Sequence, residues 1–189
     1  MEKAIEWTRR NRIPHAGIPP HPRSAVPYQE VTGYFIPTLY QMGEKEFARD
    51  LARWEATVQR EDGAFSATDQ VPYTFDTAQV IRGFLAVLDD MPDLEENLRR
   101  ACDYVAGNIA SNGRVLTPSY DQWKGGNGNM FSEYMNLYVL PPMLEAGEKL
   151  GESRYAEAAT RALAYFRKQP DLVADNLMAA VDAILEGAV

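Results

Sequence analysis

Three acidic side chains stand at positions where they could act together. Glu30, Asp76 and Glu133 each lie within one turn of the start of a predicted apolar helix. Carboxyl pairs so placed can protonate and deprotonate a sugar, and their separation decides between retaining and inverting hydrolysis. Acidic residues also favour helix starts because they cap free N–H groups and oppose the helix dipole. The sequence leaves both explanations open.

Polar and aromatic residues of the kind that hold sugars accompany these acids. Gln79 and Arg82 lie one turn apart on an otherwise apolar helix, where Arg82 needs either a structural aspartate or the carboxylate of a bound uronate. A glycine-rich loop, residues 117–130, is also suited to ligand contact. Aromatic residues at helix starts are equally ordinary in a core. The expected ligand-binding residues are Tyr34, Phe65, Gln79, Arg82, Tyr120, Asp121, Trp123 and Tyr134.

A repeated helical hairpin would bring these residues to one end of the molecule. Each unit has an inner helix that is apolar nearly all round, then an outer helix with one apolar stripe, then a tight turn. In the first outer helix, residues 46–60, the stripe holds Phe47, Leu51, Trp54 and Val58. The charged residues Arg49, Asp50, Arg53 and Glu55 are expected on its wet face. Asp62-Gly63 and Asn112-Gly113 predict the turns.

Further segments complete an all-α plan. An outer helix is predicted over residues 3–10, an extended proline-rich loop over 13–28, and a last inner helix over 176–185. Gly43, Pro92, Gly147 and Gly151 are expected at the junctions. About eight helices then form one domain, residues 1–189. Because inner and outer helices alternate in direction, every inner helix starts at the same end.

Three short motifs carry a family resemblance. They are Glu30-Val-Thr-Gly-Tyr-Phe-Ile-Pro-Thr-Leu39, Gln59 followed by Asp62-Gly-Ala-Phe65, and Phe75-Asp-Thr-Ala-Gln-Val80. Together they resemble the α/α-toroid proteins: terpenoid cyclases, prenyltransferase β-subunits and the six-hairpin glycosidases and sugar epimerases. The similarity covers most of residues 28–168 and is nearest to toroid proteins of bacterial polysaccharide metabolism. It implies a glycan or sugar acid as partner and an epimerase, hydrolase or lyase working by acid–base chemistry without a metal.

The sequence also departs from that family. A closed toroid has six hairpins, whereas about four are visible here, and the last predicted helix, 176–185, has no outer partner. Either the chain is a piece of a longer toroid, or that helix is buried in a homo-oligomer. One alternative function is a non-catalytic interaction or assembly module. A second, an isoprenoid-binding toroid, is disfavoured because the Asp-x-Asp-Asp motif and the zinc ligands of those families are missing.

Composition excludes several other classes. Nineteen Lys and Arg face 27 Asp and Glu, for a net charge of −8, and no basic run exceeds two residues, so nucleic acid is not expected. No apolar run approaches the roughly 20 residues of a membrane span. His15 and His21 lack metal-site spacing, and neither a metal nor a cofactor is expected. Cys102 falls in an apolar stripe and is expected to be buried. With no signal peptide recognisable, a cytoplasmic location is expected.

Overall fold

Helices form where the sequence shows helical periodicity, and the described residues form no strand. The computed structural model describes residues 2–117 and 135–169. Within these ranges it has seven α-helices, two short 3₁₀ helices (Pro92–Leu94 and Asn136–Val139) and two isolated β-bridges. The all-α prediction is therefore confirmed. The α-helices are α1 (Glu2–Asn11), α2 (Gln29–Gln41), α3 (Lys45–Val58), α4 (Thr74–Val87), α5 (Glu95–Gly107), α6 (Leu140–Lys149) and α7 (Ser153–Phe166).

The inner layer consists of α2, α4 and α6, with α4 packed between the other two. Helix α4 buries residues on all sides, as its nearly uniform apolar pattern predicts. The outer helices α3, α5 and α7 bury one face each against this layer. Cys102 lies in the buried stripe of α5, as expected. The largest fully buried side chains are Tyr155, Phe65, Phe84, Phe166, Ile36, Leu39, Leu51, Ile81, Leu98, Leu140 and Met143.

Helices α2 and α4 run parallel and almost touch through two glycines. A Cβ on Gly33 would stand 2.6 Å from the carbonyl oxygen of Gln79, and one on Gly83 would stand 2.9 Å from Cδ1 of Ile36. Both pairings advance in the same direction along the two helices. A side chain at Gly33 would meet the backbone of α4 and force the helices apart, whereas one at Gly83 would first displace the end of the Ile36 side chain. This close contact sets the starts of α2 and α4 side by side.

The turns that follow α3 and α5 have the same hydrogen-bond pattern. The N–H of Arg60 donates to the carbonyl of Ala64 at 3.1 Å, and the N–H of Ala110 donates to that of Arg114 at 2.9 Å. Gly63 and Gly113 have φ of 88° and 91°. A Cβ on either one would stand 2.2 Å from a carbonyl oxygen of the next outer helix. The Asp-Gly and Asn-Gly turn predictions are confirmed.

The repeat extends into the proline-rich segment, which forms neither helix nor strand, as predicted. The N–H of Ile18 donates to Oγ1 of Thr32 at 2.9 Å, and the N–H of Phe65 donates to Oγ1 of Thr77 at 3.1 Å. Each threonine hydroxyl in turn donates to the carbonyl of the tyrosine four residues earlier. The turn after α1 is therefore equivalent to the turn after α3, and α1 takes the position of an outer helix in the repeat.

Two sequence-based expectations are wrong in detail. Glu55 is 0% exposed instead of lying on the wet face of α3, because it continues the i, i+4 stripe of Phe47 and Leu51. Gly147 lies inside α6 and marks no junction, because α6 continues to Lys149. It sits where α7 approaches closely: a Cβ there would lie 3.0 Å from the amide nitrogen of Ala156. The predicted helix 176–185 lies outside the described residues.

Candidate functional site

Asp76 is the most perturbed group at the starts of the inner helices. It lies in the first turn of α4, is 3% exposed, and accepts a hydrogen bond of 2.9 Å at Oδ2 from the hydroxyl of Tyr28. Burial raises the pKa of Asp76 to about 7, the Tyr28 hydrogen bond opposes that rise, and the charges of Glu30 and Asp69 add to it. At neutral pH this carboxyl is therefore present both with and without its proton.

Glu30 lies in the first turn of α2 and is half-buried. Burial raises its pKa. The charge of Glu30 raises the pKa of Asp76. It also raises the pKa of Tyr34 to about 12, together with the burial of Tyr34, which is the larger cause. Glu30 is thus the more accessible of two coupled carboxyl groups. The sequence placed both at helix starts, and the structure brings them within electrostatic range of each other.

A third carboxyl, Asp69, joins this group from the loop before α4. Its Oδ2 accepts a hydrogen bond of 2.8 Å from the hydroxyl of Tyr73, and its Oδ1 accepts one of 2.9 Å from the N–H of Val71. Its charge raises the pKa of both Asp76 and Tyr28. Sequence reasoning missed Asp69. An aspartate whose side chain accepts a hydrogen bond from the N–H two residues later is nevertheless a common turn signal. We call Glu30, Asp69 and Asp76 the acidic cluster.

Arg82 follows Asp76 by six residues on α4 and supplies a positive charge. Its guanidinium lies 5.4 Å from the ring centroid of Tyr34, and Nη1 donates to Oε1 of Gln79 at 3.3 Å. Gln79, which is fully buried, donates to the carbonyl of Phe75. Within the described part of the chain, no carboxylate lies at ion-pair distance from Arg82. The structural aspartate considered for it is therefore not found among those residues.

Aromatic rings line the same end of the inner layer. The rings of Tyr34 and Phe75 lie 6.5 Å apart, and those of Phe75 and Tyr138 lie 6.2 Å apart, edge to face. Tyr138 is 57% exposed, so this row of rings reaches the surface. Rings in such a row offer apolar faces and polar edges to a ligand. Tyr138 was not among the expected ligand-binding residues, although it follows the third inner-helix start by a few positions.

The remaining expected site residues lie elsewhere or are not described. Phe65 belongs to the hydrophobic core, where it is fully buried and packs edge to face on Phe84 at 5.9 Å. The structure therefore unites Glu30, Asp76, Tyr34, Gln79 and Arg82. The expected residues that lie outside the described ranges are Glu133, Tyr120, Asp121, Trp123 and Tyr134.

The described residues were searched for metal sites and membrane-spanning helices, and the chain was compared with known proteins. Among residues 2–117 and 135–169, no group of three His, Cys, Asp or Glu side chains is placed to hold a metal ion, and no helix is long and apolar enough to cross a membrane. Comparisons with protein-family models, with curated proteins and with solved structures find no match to this chain.

Proposed function

We propose that this chain is a carbohydrate-associated domain, a partial α/α toroid, that binds a glycan or sugar acid where the inner helices begin. The observation that carries the proposal is the buried Asp76 carboxyl, whose pKa is raised chiefly by burial and further by the charge of Glu30. A carboxyl group whose pKa lies near 7 can both donate and accept a proton at neutral pH, which is what an acid–base catalyst needs.

The surroundings of the acidic cluster support a sugar acid as ligand. Arg82 carries a positive charge that no carboxylate of the described residues neutralises, and a planar guanidinium binds a carboxylate through two parallel hydrogen bonds. The Tyr34 ring lies beside this guanidinium, and the exposed Tyr138 ring ends the row that runs from Tyr34 through Phe75. A uronate bound to Arg82 and stacked on these rings would sit beside Glu30 and Asp76.

The proposed chemistry is proton transfer at a sugar carbon or at a glycosidic oxygen. Asp76 would donate its proton to the ligand, and the hydroxyl of Tyr28 would stabilise the carboxylate that remains; the more exposed Glu30, ionised, would accept a proton from the ligand. The two carboxyl groups would then act as acid and base in an epimerase, lyase or hydrolase.

Amide substitutions test this assignment. Wild-type protein is incubated with a panel of uronate-containing oligosaccharides, and products are followed by proton NMR. Glu30→Gln and Asp76→Asn are expected to lower turnover by at least about a hundredfold, the usual contribution of a general acid or base, with circular dichroism unchanged. Asp93→Asn, which changes an exposed acid outside the acidic cluster, is the control and should keep full activity. Unchanged turnover in both test variants would exclude these carboxyl groups. Binding without any turnover would instead favour a non-catalytic binding module.

A further inference from the structure

A second polar site lies on the outer side of the first hairpin, separate from the inner-helix starts. A cleft of about 740 Å³ opens between α1, the turn at residues 13–17 and α3. That volume lies within the usual range for small-molecule sites. Its charged lining consists of four arginines, one histidine and one acid: Arg9, Arg10, Arg12, His15, Arg53 and Asp50. We call it the arginine cleft.

The turn that borders the arginine cleft differs from its two counterparts. The N–H of Ile13 donates to the carbonyl of Gly17, as in the later turns, but Ala16 replaces the glycine that touches the next outer helix. The close approach shifts to Gly17, where a Cβ would stand 2.3 Å from the ring of Trp54. The indole of Trp54 therefore stands between this turn and the backbone of α3. The later turns, whose glycines touch a carbonyl oxygen, have no such spacer.

The charges of the arginine cleft are only partly neutralised. Its lining carries a net +3 from four arginines and Asp50, with neutral His15, in a chain whose net charge is −8. Counting Glu6 and Glu44, which pair with Arg10 and Arg9 from outside the lining, still leaves a net +1. Like charges held together in this way repel one another unless an anion joins them.

Two of these arginines have donors to spare. The nearest carboxylate oxygens to Arg10 and Arg12 lie at 3.6 and 3.9 Å, beyond hydrogen-bond distance. Their side-chain hydrogen bonds to described residues use Nε alone, and the acceptors are the carbonyls of Glu6 and Ala16. The Arg12 side chain is only 20% exposed, so its guanidinium is partly buried in the wall of the cleft. A partly buried guanidinium with open donors suits a doubly charged oxyanion.

We propose that the arginine cleft binds a small organic phosphate. Phosphate oxygens accept several guanidinium hydrogen bonds at once, and a phosphate dianion neutralises the excess charge of the lining. The cleft has room for more than a phosphate group, and Trp54 provides a flat apolar wall for the organic part. This site is independent of the acidic cluster and of the sugar chemistry proposed there.

Calorimetric titration of the full chain with inorganic pyrophosphate and with ADP tests the proposal. Both are expected to bind, ADP no more weakly than pyrophosphate, with an affinity that falls as salt rises. Arg12→Gln and Arg53→Gln should each weaken binding by about tenfold or more, as for the loss of a charge-assisted hydrogen bond. Arg161→Gln removes an exposed arginine of another outer helix and should change the affinity less than twofold.

A fourth variant is expected to strengthen ligand binding instead of weakening it. Asp50→Asn removes the acid from the lining and should tighten binding of both ligands by a few fold. Melting temperatures establish that each variant is folded. The proposal is overturned if neither ligand binds at millimolar concentration in low salt, if pyrophosphate binds and ADP does not, or if Arg12→Gln and Arg161→Gln bind alike.

Discussion

At the scale of single residues, buried carboxyl groups distinguish this chain from an ordinary helical bundle. Among the described residues, the Asp76 carboxyl accepts a hydrogen bond from Tyr28 and lies near the acids Glu30 and Asp69. Glu55 is 0% exposed, and neither of its oxygens has a hydrogen-bond partner within the described part of the chain. Unpartnered carboxyl groups are costly to bury in the charged form and are accordingly held neutral. Both groups therefore link folding to pH.

Asp76 makes stability fall as pH rises. Its folded pKa of about 7 exceeds the ordinary value of 3.8, so the folded protein binds the proton more tightly than the unfolded chain. That contribution is fully present below pH 3.8 and is lost as pH rises through about 7. A change of this size corresponds to roughly 4 kcal/mol at most. Asp76→Asn should flatten the fall in unfolding free energy measured in urea between pH 4 and 8. Wild-type and variant curves that stay parallel would contradict the shift.

Glu55 gives a second pH-dependent effect of the same sign. Burial holds its pKa well above the ordinary 4.5, so removing the carboxyl helps most at high pH. Glu55→Met should raise the unfolding free energy at pH 8 by roughly 1–3 kcal/mol, and by less at pH 5. Glu157→Met, at an exposed position of α7, should change it by no more than about 0.5 kcal/mol. A destabilised Glu55→Met at pH 8 would show that the carboxyl has a structural partner.

At the scale of elements, glycine turns fasten each hairpin to the next. Gly63 and Gly113 both need positive φ and both lie against a carbonyl oxygen, so a methyl group meets two penalties there. Gly43 has φ of 84° with nothing within 4 Å of its Cβ position, so it meets only one.

Alanine substitutions separate these two penalties. Gly43→Ala should cost about 1–2 kcal/mol, the strain of a left-handed residue. Gly63→Ala and Gly113→Ala should each cost at least about 2 kcal/mol more, because the helix behind the turn must move. Gly107→Ala, in α5 with open space around it, should be neutral or stabilising. Chemical denaturation of the four variants checks this order, and equal losses at Gly43 and Gly63 would argue against the backbone contact.

Local sequence patterns predicted these elements well, but they predicted long-range geometry poorly. The Asp-Gly and Asn-Gly turns were evident because left-handed φ is a local preference. The turn at residues 13–17 lacks that signature, so its equivalence to the others emerges only from its hydrogen bonds. Glu55 was expected on the wet face of its helix and Phe65 in the ligand-binding site, and both expectations failed for a related reason. How much of a helix or turn is buried depends on neighbours from distant segments, which periodicity does not reveal.

At the scale of the whole molecule, the parallel helices α2 and α4 bring their starts to one end. The acids at helix starts were predicted to meet there, and Gly33 and Gly83 show how α2 and α4 come close enough. Asp69 and Tyr138 join from segments whose placement no local motif indicates. Burial of the 176–185 segment against a second copy stays a prediction.

The central claim is that Glu30 and Asp76 form a proton-transferring pair that a sugar acid contacts. The most direct test is a carboxyl-carbon NMR titration, with and without a saturating uronate oligosaccharide, with Asp76→Asn used to assign the resonance. The account predicts that Asp76 titrates near pH 7 and that ligand shifts the titration of both carboxyl groups. An Asp76 carboxyl that titrates near its ordinary 3.8, and that ignores the ligand, would contradict the account.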